Sequence, residues 1–292
     1  MDRDVWDLVV RATRSMRSAA PPRRRPVLFA DRLILRLYLW LVWHELPMCR
    51  VADRAVFGSM FRPRLLPSVS QFCKRIAEPR FAALLEAARR RLTGTLDGAM
   101  LLMIDGKALP VTENSRDPDA TTGHGGGRFC KGYRLNAMTD DRGRIGEYRL
   151  SDMRQQEKNL AFEMLGAVGP GQVVLADGNY DSSRLYDRAA ERGAFLFTPV
   201  KALGQHRVTI ARTSPERREA GRVWRERPHL AAAAYALRGA IERTFANLSN
   251  FAGGLRGLPP WVRTRRRVER FVAAKLVIYA ARRLARHPSA KA

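Results

Sequence analysis

The chain has 292 residues, of which 46% are hydrophobic and 28% are charged, so it can bury one large core or two ordinary ones. This composition excludes a wholly disordered chain, a collagen and a disulfide scaffold, and the three cysteines form no Cys-x-x-Cys pair that would favour structural zinc. Lys and Arg outnumber Asp and Glu by 53 to 28, giving a net charge of +25. We therefore expect a polyanionic partner, with nucleic acid favoured over an anionic membrane surface.

The positive charge lies toward the two ends of the sequence. Residues 1–96 carry a net charge of +11, residues 97–200 carry −2 and residues 201–292 carry +16. The most apolar run, residues 33–43, is too short to span a bilayer and contains Arg36, so no membrane partner is expected. The cysteine usage favours a reducing compartment, and we expect a cytoplasmic protein.

The first part of the chain is predicted to be helical. From residue 29 to about residue 92, apolar residues recur at spacings of three and four, and prolines mark the turns. Residues 66–78 resemble the second helix of a helix-turn-helix, with Lys74 and Arg75 on its outward face. These two residues are candidates for DNA contact, and an ordinary solvated helix face is the alternative. We assign residues 1–96 to a basic, all-helical DNA-binding domain.

After residue 97 the pattern alternates between strands and helices, which indicates an α/β domain over residues 97–292. Five strands are predicted, two of them joined by the turn Asp140–Gly143. They cover residues 101–105, the two arms of 131–152, 172–182 and 194–201. Helices are predicted over residues 155–168, 183–193, 231–250 and 262–286.

Two of the predicted strands end on a carboxylate. Asp105 closes the apolar run of residues 101–105, and Asp177 follows the apolar run of residues 173–176. Two carboxylates at the mouth of one sheet repel each other unless they share a cation, and hard oxygen ligands favour Mg²⁺ or Mn²⁺. For either residue alone, a turn-forming aspartate is an equal alternative.

A third carboxylate, Glu242, is predicted on a helix over residues 235–249. Tyr235, Arg238 and Glu242 lie at offsets 0, 3 and 7, so they share about one sixth of the helix circumference. An arginine beside a metal-bound carboxylate can hold a phosphate without displacing the metal. On spacing alone, Glu242 could still be only the salt-bridge partner of Arg238.

Together these segments resemble the DDE transposases of bacterial insertion sequences, in the branch with a Tyr-x2-Arg-x3-Glu-x6-Lys signature. IDGKALPV (104–111) is similar to the first-acid strand, VVLADGNYDSSRLYDRAAERG (173–193) to the second-acid strand, and YALRGAIERTF (235–245) to the third-acid helix. The resemblance covers roughly residues 98–290. It implies a ribonuclease H-like, five-stranded mixed sheet with flanking helices, preceded by the helical domain.

The resemblance also implies a function and a site. Asp105, Asp177 and Glu242 would be the catalytic triad and would bind Mg²⁺ or Mn²⁺, with two ions expected. The protein would cleave double-stranded DNA at transposon ends and transfer the strand into target DNA, with Tyr235 and Arg238 on the phosphates of the ends. Synapsis of two ends implies a dimer on DNA. The alternatives are a degenerate copy that only binds DNA and a nuclease of the same fold that cuts without joining.

Two nearby positions carry further expectations. The signature Lys, seven residues after Glu242, is Ser249 in this chain. We expect Ser249 to project from the same helix edge as Arg238 and Glu242, toward the DNA. Asp181, four residues after Asp177, is expected to be structural, as a cap of the helix that starts near Ser183.

Overall fold

The protein is described by a computed structural model that covers residues 2–16, 28–125, 127–201 and 213–286. The basic run of residues 23–25 and residues 202–212 of the Arg-rich segment lie outside the described residues. The chain divides into two compact units. The first comprises Met1–Gly94, Ser115–Asp119 and Leu248–Ala292, and the second comprises Thr95–Asn114 and Ala120–Asn247.

The described residues form ten α-helices and six strands. The helices, in chain order, are α1 (Arg3–Thr13), α2 (Asp31–Trp43), α3 (Val69–Ala77), α4 (Pro79–Thr93), α5 (Glu157–Met164), α6 (Ser183–Ala190), α7 (Pro215–Glu226), α8 (Pro228–Ala236), α9 (Gly239–Ser249) and α10 (Arg265–Arg286). The strands are β1 (Leu101–Pro110), β2 (Thr121–Gly125), β3 (Arg128–Asp140), β4 (Ile145–Asp152), β5 (Val173–Leu175) and β6 (Phe195–Phe197). Short 3₁₀ turns lie at Met48–Ala52, Arg54–Val56, Leu165–Ala167 and Gly178–Tyr180.

The first unit is helical, as the sequence predicts, but its core needs a helix from the other end of the chain. Helix α10 packs against α1, α2 and α4. Every residue of α10 from Phe271 to Ala281 is buried, including Lys275, whose Nζ donates to the Gly253 carbonyl (2.7 Å) and pairs with Glu45 (3.0 Å). The sequence assigned this helix to the α/β domain. A helix that is apolar on all sides must be enclosed by partners, but its own pattern does not say which.

The second unit is built on a mixed sheet in the order β2-β3-β1-β5-β6, with β4 also paired to β3. Strand β1 runs antiparallel to β3 and parallel to β5, which is parallel to β6. The predicted ribonuclease H-like mixed sheet with flanking helices is confirmed, and its five expected strands are β4, β3, β1, β5 and β6. The sixth strand, β2, is an addition. Gly132 of β3 pairs with Pro110 of β1 and with Thr121 of β2, so β2 lies on the edge that β4 occupies further along β3.

The unequal lengths of two neighbouring strands set the position of the first candidate acid. The parallel pairing of β1 with β5 covers only Leu101 to Met103. Strand β1 then continues to Pro110 because it pairs with β3 along nine residues, from Leu102 to Pro110. The prediction that this strand stops at Asp105 is therefore wrong. Asp105 lies within β1, just beyond the point where β5 ends.

The predicted helix over residues 231–250 is interrupted. Helix α8 ends at Ala236 and α9 begins at Gly239, so Leu237 and Arg238 form a turn between them. The alanine-rich run before this turn favours a continuous helix, but glycine at position 239 weakens that preference. Within the described ranges, no helix combines the length and the apolar character that a bilayer crossing requires.

Candidate active site

Asp105 is a half-buried carboxylate within β1. Its side chain is 18% exposed, its Oδ2 accepts from Arg238 Nη2 (2.8 Å), and its Oδ1 accepts from the Gly106 amide (2.8 Å). Burial raises its pKa to about 6 even though Arg238 and the Gly106 amide act in the opposite direction, and the nearby Asp177 and Glu157 carboxylates add to the rise. Burial therefore disfavours the charged form of this carboxylate even beside Arg238.

Arg238 connects the first and third candidate acids. Its Nη2 donates to Asp105, and its Nη1 donates to Glu242 Oε1 (2.8 Å). The arginine side chain is 14% exposed, whereas that of Glu242 is 64% exposed. The break between α8 and α9 places Arg238 in a turn, so the predicted common edge of one continuous helix is wrong. The link to Glu242 still forms because the two residues are four positions apart.

Asp177 and Tyr235 are the remaining residues that the sequence predicts at this site. Asp177 follows β5 and caps the 3₁₀ turn Gly178–Tyr180, where its Oδ1 accepts from the Asn179 amide (2.8 Å). Burial raises the pKa of Tyr235; Arg238 lowers it, and Asp177, Asp105 and Glu242 each raise it further. All three candidate acids therefore raise the pKa of the same hydroxyl, that of Tyr235.

All three candidate acids influence the Tyr235 phenol, but they are not gathered into a metal-ion cluster in the described residues. Within the described parts of the chain, no three His, Cys, Asp or Glu side chains are gathered closely enough to hold a metal ion. Arg238 lies between Asp105 and Glu242 and donates to both carboxylates.

Asp105 and Asp177 share an open groove of about 910 Å³. The groove also contains basic and acidic residues that the sequence did not single out as site residues. These are His124, Arg134, Arg154, Glu157, Lys158 and Lys201. Basic side chains can hold a phosphodiester, and carboxylates beside them can hold a metal ion close to it. The one local signal for Glu157 is its place in the first turn of the helix that follows β4.

The two predicted DNA contacts on α3 differ in their surroundings. Lys74 is exposed, as predicted. The prediction that Arg75 faces outward is wrong, because its side chain is only 11% exposed, donates to the Phe29 carbonyl (2.8 Å) and pairs with Asp31. Arg75 therefore fastens the start of α2 to α3 inside the helical unit, which the spacing of α3 alone cannot show.

The expectations for Ser249 and Asp181 have different outcomes. Ser249 is buried and its hydroxyl donates to the Leu255 carbonyl (3.0 Å), so the prediction that it points toward DNA is wrong. Asp181 is structural, but it does not cap the following helix. Its carboxylate instead receives two hydrogen bonds of 2.6 Å from Arg217 and one of 2.9 Å from the Lys201 amide.

The raised pKa of Asp105 predicts a pH-dependent gain in stability on its substitution. Because the pKa of Asp105 in the folded protein, about 6, lies above its unfolded value of 3.8, the folded protein loses stability as the pH rises from about 4 to about 6. Above that range the full loss is present. Asp105→Asn should therefore raise the free energy of unfolding of the metal-free protein by about 2 kcal/mol at pH 8. The gain should shrink as the pH falls from about 6 toward 4. Urea denaturation in a chelator at both ends of this range measures it, and an equal gain at both would exclude ionisation as the cause.

Comparisons with known proteins gave one family match and a distant structural similarity. Residues 97–280 match the family model described as "Transposase DDE domain". A solved structure, the cryo-EM structure of the piggyBac transposase synaptic complex with hairpin DNA, is similar at 11% identity and a TM-score of 0.38. That match covers 74% of this chain and 52% of the piggyBac chain, so the protein spans about half the length of that relative. A comparison with curated proteins gave no match.

Proposed function

We propose that the chain, which belongs to the transposase DDE domain family, is an insertion-sequence transposase that cleaves DNA at the ends of its element and joins them to target DNA. The observation that carries this proposal is the link from Asp105 through Arg238 to Glu242, beside Asp177 and an open groove. Arg238 and Glu242 belong to the signature and Asp105 is the first acid of the resemblance, and Arg238 joins the two acids although they lie 137 positions apart in the sequence.

The donor set fits a divalent cation. Asp105, Asp177 and Glu242 offer only carboxylate oxygens, which Mg²⁺ and Mn²⁺ prefer, and burial of Asp105 makes a compensating positive charge favourable. We propose that these three residues hold two such ions. When bound, the ions would activate the attacking hydroxyl and stabilise the leaving oxygen.

Arg238 and Tyr235 act on the phosphate backbone in this proposal. With a cation on Asp105, the Arg238 guanidinium is free to donate to a phosphate, to which its planar fork is well matched. The raised pKa keeps Tyr235 in its neutral form, so its hydroxyl can donate a hydrogen bond to a phosphate oxygen. Lys158 and Lys201 in the groove add positive charge along the same path.

The helical unit would contribute affinity for DNA. Its exposed Lys74 suits a phosphate contact, whereas Arg75 is committed to Asp31 and Phe29. We propose that the unit binds double-stranded DNA outside the active site, that two copies assemble on paired ends, and that the protein works at the bacterial nucleoid. A fragment of residues 1–96 would lack α10, which packs against α1, α2 and α4, so the full chain is the object to test.

We expect the purified chain to cut and join duplex DNA that carries the sequences flanking its coding region, provided that Mg²⁺ is present. A chelator should abolish both steps while DNA binding persists, because the cations act on the reacting phosphate rather than on the backbone contacts. Gel analysis of labelled duplexes measures cleavage and joining, and a gel shift measures binding. Cleavage without joining would favour the nuclease, and binding without cleavage would favour the degenerate copy.

A further inference from the structure

Another pocket, of about 340 Å³, lies within the helical unit. Its walls come from α2, α3, α10 and the segments that precede the Met48–Ala52 turn and α10. Most of the lining is apolar or aromatic, and it includes Tyr38, Met48, Ile76, Trp261 and Val262. Small-molecule sites in proteins have volumes of about 300–1,000 Å³ and a mainly apolar lining with a few polar groups. The pocket is therefore large enough for a small ligand, and its lining favours one with an apolar body.

The turn that carries Trp261 and Val262 is fixed in place by two contacts. The Trp261 ring makes a T-shaped contact with Phe271 of α10, with 5.7 Å between the ring centroids. The Thr264 amide, at the end of this turn, donates to the Asp117 carboxylate (3.1 Å). A wall that is already ordered costs little further conformational entropy when a ligand binds. The pocket is therefore preformed on this side.

Two arginines of α10, Arg267 and Arg270, give the pocket a positive charge. Among the described residues, no acidic side chain lines the pocket, and the neighbouring Glu269 pairs with Arg265 instead (3.0 Å). The Nε of Arg270 is buried and has no hydrogen-bond partner within the described ranges. Hydrogen bonds from a guanidinium to an anionic group are among the strongest in proteins. An anion in this pocket would therefore satisfy a charge that the described fold leaves unpaired.

Tyr38 contributes a hydroxyl group to the same pocket. Burial raises the pKa of Tyr38, so the hydroxyl keeps its proton, and Arg270 donates a hydrogen bond to it. A tyrosine hydroxyl that accepts one hydrogen bond can still donate its own proton to another acceptor. The polar part of the lining thus consists of donors, which favours an acceptor as the ligand.

We propose that this pocket binds a small amphipathic anion, with a flat apolar body and a single carboxylate. Trp261 and the other apolar walls receive the body, and Arg267 and Arg270 receive the carboxylate, to which a planar guanidinium is well matched. The DNA backbone fits less well, because a duplex phosphate reaches exposed side chains such as Arg267, whereas Arg270 is half-buried. The inference concerns the helical unit alone and does not depend on the metal-dependent function proposed above.

Calorimetric titration of the full chain with naphthoate tests this proposal, because this compound joins a flat aromatic body to one carboxylate. We expect a dissociation constant below about 1 mM, as for an efficient ligand of this size. Naphthalenemethanol has the same body without the charge and should bind at least about tenfold more weakly. Equal affinity for the two compounds would overturn the proposal.

Two variants separate a specific site from general attraction to a basic protein. Arg270→Met removes a charged donor of the pocket and should weaken naphthoate binding by at least about tenfold. Ala77→Trp places an indole at an exposed position of the lining and should weaken binding as much by occupying the pocket. The matched controls are Arg266→Met on α10 and Ala87→Trp on α4, which change exposed residues outside the lining. Both controls should bind naphthoate as the wild type does.

Wild-type affinity for naphthoate in either Arg270→Met or Ala77→Trp, with folding confirmed by circular dichroism, would overturn the proposal. So would a complete lack of naphthoate binding by the wild-type chain. If Arg270→Met then lowered the affinity for duplex DNA in a gel shift, the arginine would belong to the DNA-binding surface instead. None of these residues lines the groove of Asp105 and Asp177, so such results would leave the proposed DNA cleavage and joining standing.

Discussion

Asp177→Asn should reduce DNA strand cleavage by more than about 100-fold while leaving DNA binding unchanged or slightly tighter. The substitution removes a proposed metal ligand and one negative charge beside the phosphate path. It should leave the local backbone intact, because an asparagine amide oxygen can still accept the hydrogen bond from the Asn179 amide that now caps the turn after β5. Rates of strand cleavage and gel-shift affinities measured on the same DNA separate the two effects.

Asp141→Asn is the matched control for this prediction. Asp141 is exposed in the turn between β3 and β4, so its substitution removes the same charge away from the groove. This variant should cleave DNA at the wild-type rate. If affinity for DNA collapsed together with cleavage in Asp177→Asn, the residue would be structural, and the proposed metal role would be wrong.

The sequence was sufficient to select the acids on the sheet because each follows an apolar run that a buried strand requires. Strand β5 is short, its Val174 and Leu175 are buried, and Asp177 comes just after it. The sequence was less informative about Asp105, because the length of β1 depends on its pairing with β3, which lies elsewhere in the chain. Strand ends are therefore poorly predicted where the partner, rather than the local pattern, decides them.

Contacts between distant residues account for most of what was missed. Glu157 begins a helix of eight residues and shows no motif, and its place in the groove beside Asp105 and Arg134 appears only in the folded chain. Arg75 has the spacing of an outward-facing basic residue, but it forms an ion pair with Asp31 inside the helical unit. In each case the local pattern correctly predicts the helix, but it does not predict which residue pairs with the charged side chain.

Asp181 illustrates the same limit. Its position just before α6 predicts a helix cap, but the residue instead joins two segments that are far apart in sequence. The carboxylate is 1% exposed and meets Arg217, whose side chain is 15% exposed, in a two-pronged ion pair. Its Oδ2 also accepts from the amide of Lys201, a residue of the groove, so one buried charge positions both α7 and the groove wall.

Asp181→Ala should therefore lower the free energy of unfolding by about 3–5 kcal/mol, because it leaves the Arg217 charge largely buried without its partner. The control Asp187→Ala, at an exposed position of α6, should change stability by less than about 0.5 kcal/mol. The double variant Asp181→Ala/Arg217→Met should recover part of the loss, since it removes the stranded charge as well. Urea denaturation of the four proteins measures these differences. If Asp181→Ala costs no more than Asp187→Ala, the energy of the ion pair only offsets the cost of burying it, and Asp181 does not hold the groove in place.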